Sequence, residues 1–157
     1  MNPLQPLLAL LAQAERERDA AWVDTQRAVQ MQLAAVGQAE QLLTYRREYE
    51  QRWGAQFKSE GRMELVHCYR GFIDRLTQAV DQQQRVAQHA TAQMERAREV
   101  LREHEIRVAS VRKLIERRSQ ELRLSADRYE QKQTDEFGAR IAWNPQGGGL
   151  AGMAGAA

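Results

Sequence analysis

Stepping by seven from Val66, the chain reads Ile73, Val80, Ala87, Met94, Leu101, Val108, Ile115, Leu122 and Tyr129, and none of these residues is charged. A straight helix drifts off a strict heptad, because 3.6 residues per turn does not divide seven evenly. A repeat held this long predicts a left-handed supercoil against a partner helix. The companion seam positions are Tyr69, Leu76, Gln83, Ala90, Ala97, His104, Val111, Arg118, Ser125 and Lys132. They decay from apolar to polar along the chain. Polar seam residues fix register at the expense of stability, so the pattern predicts a frayed far end that orders on binding.

A partner for this helix lies earlier in the chain. Asn2 is placed to cap a first helix, with Pro3 at its first position, where the missing N–H costs nothing. That helix is expected over about 3–53. Its stronger apolar row is Leu4, Leu8, Leu11, Trp22, Val29, Val36 and Leu43, beside a weaker row of Ala21, Ala28, Ala35, Leu42 and Tyr49. Arg18, Thr25, Gln32 and Arg46 interrupt the expected seam. Gly54 and Gly61 bracket the expected break, a loop over about 54–62, since glycine ends helices cheaply in the left-handed conformation. Gly71 could fray the start of the second helix, expected over about 63–141.

The fold class this predicts is all-α: a long antiparallel two-helix coiled-coil hairpin over 1–143. A reversal centred near residue 59 places Leu43 opposite the region of Leu76, and Leu4 opposite the region of Leu114. The paired rod is then roughly 75–80 Å long at 1.5 Å per residue, with a C-terminal overhang of some 35–40 Å. Beyond Asn144 and Pro145 the Gly/Ala-rich stretch 144–157 has no pattern and is expected to be a disordered tail.

Composition supports a rod over a globule. The chain of 157 residues is 28% charged and 6% aromatic, the makeup of long helices. Its net charge of +2 comes from interleaved signs with no long basic block, so no nucleic-acid arm is expected. The stretch from Arg96 to Lys132 is modestly basic and would suit an acidic protein surface. Cys68 is the only cysteine, which excludes an internal disulfide and favours a reducing compartment. The apolar run Leu7 to Ala12 has no basic flank and ends at Glu15 and Arg16, well short of a membrane span. A soluble cytoplasmic protein is expected.

No catalytic constellation is visible. His67, His89 and His104 are too far apart to share one helical face at metal-ligand spacing. His67 and Cys68 are adjacent, so on a helix they point about 100° apart, and no third group orients them. The glycines form no phosphate-binding loop. A thin rod offers no concavity to enclose a small-molecule substrate. The chain is expected to be no enzyme and to use no metal and no cofactor.

Some apolar residues remain once the seam is assigned. Leu42, Tyr45 and Tyr49, with Gln38 one turn earlier, share a flank of the first helix. Leu65, Phe72, Ala79 and Val86 recur by seven just before the seam of the second. The antiparallel fold brings both sets to the loop-proximal half, as a docking surface or as extra core.

The clusters Gln38-x3-Leu42-x2-Tyr45-x3-Tyr49, Phe72-x3-Leu76-x2-Ala79 and Glu130-Gln-Lys-Gln-Thr-Asp-Glu-Phe137 resemble those of the flagellar export protein family FliJ. The likeness covers most of residues 3–142. It implies a cytoplasmic, stalk-like hairpin of the flagellar type III export apparatus, met at the cytoplasmic face of the inner membrane only through that apparatus. The implied partners are the hexameric export ATPase FliI, whose pore the stalk enters, the export gate protein FlhA, and the export chaperones. The resemblance assigns gate docking to Gln38, Leu42, Tyr45, Tyr49, Phe72, Leu76 and Ala79; the next turn, commonly histidine in the family, is Gln83 here. The ATPase-contacting end corresponds to the termini, and Arg117, Arg118, Arg123, Arg128 and Lys132 are its candidate residues. Alternative readings are the stalk of a virulence-type secretion system, an ATPase-independent coiled-coil chaperone or adaptor, and a parallel homodimeric spacer.

Overall fold

A computed structural model describes residues 2–57 and 62–143. Two helices account for nearly all of them: α1, Gln5–Phe57, and α2, Met63–Trp143. The Asn2 side chain accepts the Leu4 N–H at 3.0 Å, and the Asn2 carbonyl accepts the Gln5 N–H at 3.1 Å. Asn2 therefore satisfies two amides that would otherwise lack an intrahelical partner. The α2 helix begins with Glu64 in its first turn and ends with Arg140 in its last, each matched to the helix dipole.

The first helix does not stop at Gly54. It runs to Phe57, and the Phe57 ring packs against Trp53 and Tyr69 at centroid distances of 5.6 and 5.1 Å. An internal glycine costs a helix about 1 kcal/mol, which aromatic packing of this kind offsets. Gly71 likewise sits inside unbroken helix. Gly61 and the expected tail over 144–157 fall outside the described residues.

The chain divides into two units, residues 10–109 and residues 1–9 with 110–157. In the first unit α1 and α2 run antiparallel. Glu17 meets Arg107, Thr25 meets Ala97, Gln38 meets Gln83, Arg46 meets Thr77 and Tyr49 meets Phe72. Most of these partners lie about 3–4 residues further along α2 than a reversal centred on residue 59 requires, roughly one helical turn. The continuation of α1 to Phe57 shifts the pairing in the same direction.

The α2 stripe is the seam. Val80, Ala87, Met94 and Val108 are buried, and Val66, Ile73 and Leu101 are half-buried. On α1 the order of the two rows is reversed from expectation. Ala14, Ala21, Ala35 and Ala39 are buried, whereas Trp22 of the larger row is 53% exposed. Thr25, expected to interrupt the seam, is inside it at 4% exposure. The physical reason is room: small side chains at the contact let two helices approach closely, and bulky ones are moved to the flanks. The Thr25 hydroxyl makes this possible for a polar residue, with contacts to the Ala21 carbonyl at 2.7 Å and the Ala97 carbonyl at 3.2 Å.

In the second unit Val111 is buried, and Leu4, Leu7, Ile115, Ser119 and Leu122 are half-buried. Leu114, expected opposite Leu4, is exposed. From Arg123 to Trp143 every residue is exposed, including Leu124, Tyr129, Phe137, Ile141 and Trp143.

Candidate functional surfaces

Near the end of the 10–109 hairpin, α1 carries an aromatic residue on four successive turns: Tyr45, Tyr49, Trp53 and Phe57. Spacing by four keeps them on one side of the helix. Tyr69 and Phe72 of α2 fit against this ladder. Tyr49 lies 4.5 Å from Phe72, 5.9 Å from Tyr69 in a stacked geometry, 6.2 Å from Tyr45 and 5.9 Å from Trp53. Such pairs contribute about 0.5–1.5 kcal/mol each beyond the area they bury. Burial in this cluster, with the nearby Glu50 carboxylate and Tyr49, holds the Tyr69 hydroxyl above its ordinary range.

The seven residues assigned to gate docking come together here, at graded depth. Leu76 is buried, and Leu42, Tyr49, Phe72 and Ala79 are half-buried. Gln38 and Tyr45 are the more accessible members, with Tyr45 at 50%. The larger rings thus serve as core on one side and as surface on the other. Gln83 closes the upper edge: its amide donates to the Gln38 side-chain oxygen at 3.1 Å and to the Ala35 carbonyl at 3.5 Å. Trp53 and Phe57 belong to the same cluster, joined by the seam residue Tyr69. The signal for Trp53 and Phe57 is the four-residue spacing, which the expected helix stop at Gly54 hides.

A second polar cluster lies at the other end of this unit. The Glu17 carboxylate accepts from Arg107 at 3.2 Å and lies 3.8 Å from His104 Nδ1. Gln13 donates to the other Glu17 oxygen at 3.2 Å. That hydrogen bond, with the charges of Arg107 and His104, holds the Glu17 carboxyl below its ordinary range, against a smaller opposing effect of burial. The sequence marks His104 as a polar seam position outside metal-ligand spacing, with no sign of this pairing.

The five basic residues assigned to the ATPase lie in the other unit, on the exposed part of α2. At 100° per residue, Arg117, Arg118, Arg128 and Lys132 fall within an arc of about 100°, and Arg123 points to the far side. Arg118 pairs with Glu121 at 3.2 Å. Exposed pairs of this kind are weak, so the guanidinium can exchange this partner for another.

Among the described residues no group of His, Cys, Asp or Glu is arranged to hold a metal ion. His67 and Cys68 are exposed on the first turns of α2. None of the described helices is long and apolar enough to cross a membrane.

The comparison with characterised proteins gave no match, and neither did the comparison with solved structures. The family model described as flagellar FliJ protein matches residues 1–147, which takes in both units' described residues. On that match, an all-α chain of two long helices with aromatic and basic surfaces in different units belongs to the flagellar FliJ protein family.

Proposed function

We propose that this component of the flagellar export apparatus acts as a stalk-like adaptor without catalytic activity of its own. In this reading the basic face of α2 around Arg117, Arg118, Arg128 and Lys132, with Arg123 on the opposite side of the helix, binds the ring of the export ATPase FliI and promotes its assembly and activity. The loop-proximal surface of Gln38, Leu42, Tyr45, Tyr49, Phe72, Leu76 and Ala79 engages the export gate FlhA. Export chaperones are escorted by the same molecule, which is cytoplasmic and meets the membrane only through the apparatus.

The observation that carries this reading is the assignment of the two surfaces to different structural units. The aromatic surface is built by packing of two helices, so it is preformed and fits a specific partner. The basic face lies on α2 between Arg117 and Lys132, where all five residues are exposed. Charge presented in this way can meet several equivalent facets of a ring, because no deep pocket fixes one orientation.

The test is ATP hydrolysis by the purified export ATPase, titrated with the full chain and with a chain ending at Ser119. The reading requires stimulation that saturates near one chain per ring and is lost on truncation. Equal stimulation by both chains would place the contact elsewhere. No stimulation by either would favour an adaptor that works without the ATPase.

A further inference from the structure

We propose that the 10–109 hairpin has a second register, one helical turn from the observed one, in which α2 is displaced toward the start of α1. The aromatic end permits it. Tyr69 now sits among Tyr49, Trp53 and Phe57. Because α1 repeats an aromatic residue on each turn, a one-turn shift seats Tyr69 among Tyr45, Tyr49 and Trp53 instead. Phe72 moves from Tyr49 to Tyr45, whose ring is half exposed in the observed register.

The middle of the hairpin permits the shift as well. Between Val80 and Met94, which are themselves buried, its core narrows to the alanine cluster of Ala35, Ala39 and Ala87, with Val36 and Ala90 against it. Register is specified where bulky knobs fill particular holes, and methyl groups fill none in particular. The Thr25 hydroxyl bonds a backbone carbonyl across the seam, and every turn of α2 presents another carbonyl of the same kind.

Three side-chain ties do distinguish the registers. Glu17 holds His104 and Arg107, Gln83 holds the Gln38 side chain, and Arg46 donates to the Thr77 hydroxyl at 3.4 Å. A one-turn shift carries His104 and Arg107 past Glu17, toward Gln13 and Leu10, and leaves the carboxylate facing the region of Val100 and Glu103. The Glu17 clasp therefore selects the observed register. Chain for the shift is available in the last turn of α1, where Gly54 weakens the helix. Unwinding Gly54 to Phe57 releases the Phe57 ring, which the shifted Tyr69 no longer needs.

A shift of one turn, about 5.4 Å, moves Phe72, Leu76 and Ala79 past Gln38, Leu42 and Tyr45. The proposed gate surface would exist in one register and be rearranged in the other. This consequence rests on the docking reading above, whereas the shift itself does not.

Disulfide trapping in full-length protein carrying Cys68→Ser tests the shift without any partner. Bridging needs Cβ atoms about 3.5–4.5 Å apart, so pairs one turn apart report different registers. Thr25→Cys with Ala97→Cys reports the observed register, and its intramolecular closure also shows that the hairpin is folded. Ala21→Cys with Ala97→Cys reports the shifted one. We expect both pairs to close under mild oxidation, the second more slowly. Adding Glu17→Gln should raise the closure rate of the second pair about three- to tenfold, the scale of losing weak exposed ion pairs. Gly54→Ala should lower it. Closure of the first pair alone, with or without the Glu17→Gln substitution, would overturn the second register. Closure of the second pair at a rate indifferent to Glu17→Gln would overturn the clasp.

Discussion

The aromatic end and the alanine middle of the 10–109 hairpin solve one problem by opposite means. At the aromatic end six large rings interlock over a few turns, with centroid distances of 4.5 to 6.5 Å. In the middle, Ala14, Ala21, Ala35 and Ala39 meet an alanine-containing face of α2, and a buried threonine makes a polar contact across the seam. A fully buried aromatic side chain removes about 150–250 Å² from water and these half-buried rings a large part of that, whereas a buried alanine contributes one methyl group, roughly 0.8 kcal/mol. The first region holds the helices together, and the second keeps them close at little energetic gain. Stability and closeness are thus separated along one seam.

The largest effect expected from this contrast comes from its strong end. Tyr49→Ala removes the ring that touches Tyr45, Trp53, Tyr69 and Phe72. It should destabilise the chain by about 2–3 kcal/mol, below the range for a fully buried ring because Tyr49 is half-buried. Urea denaturation followed by helical circular dichroism measures it. A loss under about 1 kcal/mol would mean that the aromatic cluster is surface rather than core.

Overfilling the close end should come next. Ala35→Leu inserts a bulky side chain where Ala35, Ala39 and Ala87 meet, at a cost of about 1–3 kcal/mol. If the seam instead tolerated leucine, the thermal midpoint would stay or rise. Thr25→Val keeps the shape and removes the hydroxyl, so it should cost about 1 kcal/mol. No loss on that substitution would show that the contact to Ala97 adds nothing.

In the opposite direction, Gly54→Ala should stabilise α1 by about 0.5–1 kcal/mol, because a Cβ at Gly54 meets no atom within 4 Å. A drop in the melting temperature would contradict continuous helix through that turn.

The smallest effects are those of pH, and they differ in sign between the two ends. Glu17 has a lowered folded value, so its contribution is present above the ordinary carboxylate range and is lost as pH falls through the folded value. Tyr69 has a raised folded value. Its neutral form contributes below the ordinary tyrosine range, and that contribution is lost as pH rises through the folded value. Thermal melts should therefore show Glu17→Gln below the parent at neutral pH and converging with it on the acid limb, whereas Tyr69→Phe should follow the parent until the alkaline limb, where the parent falls away. Parallel melts across both limbs would remove both assignments.

What the sequence disclosed follows the same division. The α2 stripe was legible because its side chains are large and uncharged, and all its described members up to Leu122 are at least half-buried. The α1 rows were ranked by hydrophobicity, which favoured Trp22 over Ala21. Close helix approach ranks by size instead, and size put the alanines inside. Gly54 misled for a related reason: its local cost was visible, but the Phe57 to Tyr69 contact that offsets it comes from a residue on the other helix. The residues proposed for docking were legible as a spaced set. Their partial burial was not, because depth depends on register, and register was displaced by the turn that Gly54 seemed to end.

The central claim is that gate docking and ATPase contact use separate surfaces, and a pair of exposed substitutions tests it most directly. Tyr45→Ala and Arg128→Glu alter one surface each, at residues whose side chains reach solvent. Binding to the cytoplasmic domain of the gate protein and stimulation of the export ATPase should be measured on both variants. The account predicts that Tyr45→Ala weakens gate binding at least about tenfold, the scale of one docking aromatic, and leaves ATPase stimulation intact. Arg128→Glu should do the reverse. Joint loss of both activities in either variant, or gate binding indifferent to Tyr45, would contradict two separate surfaces.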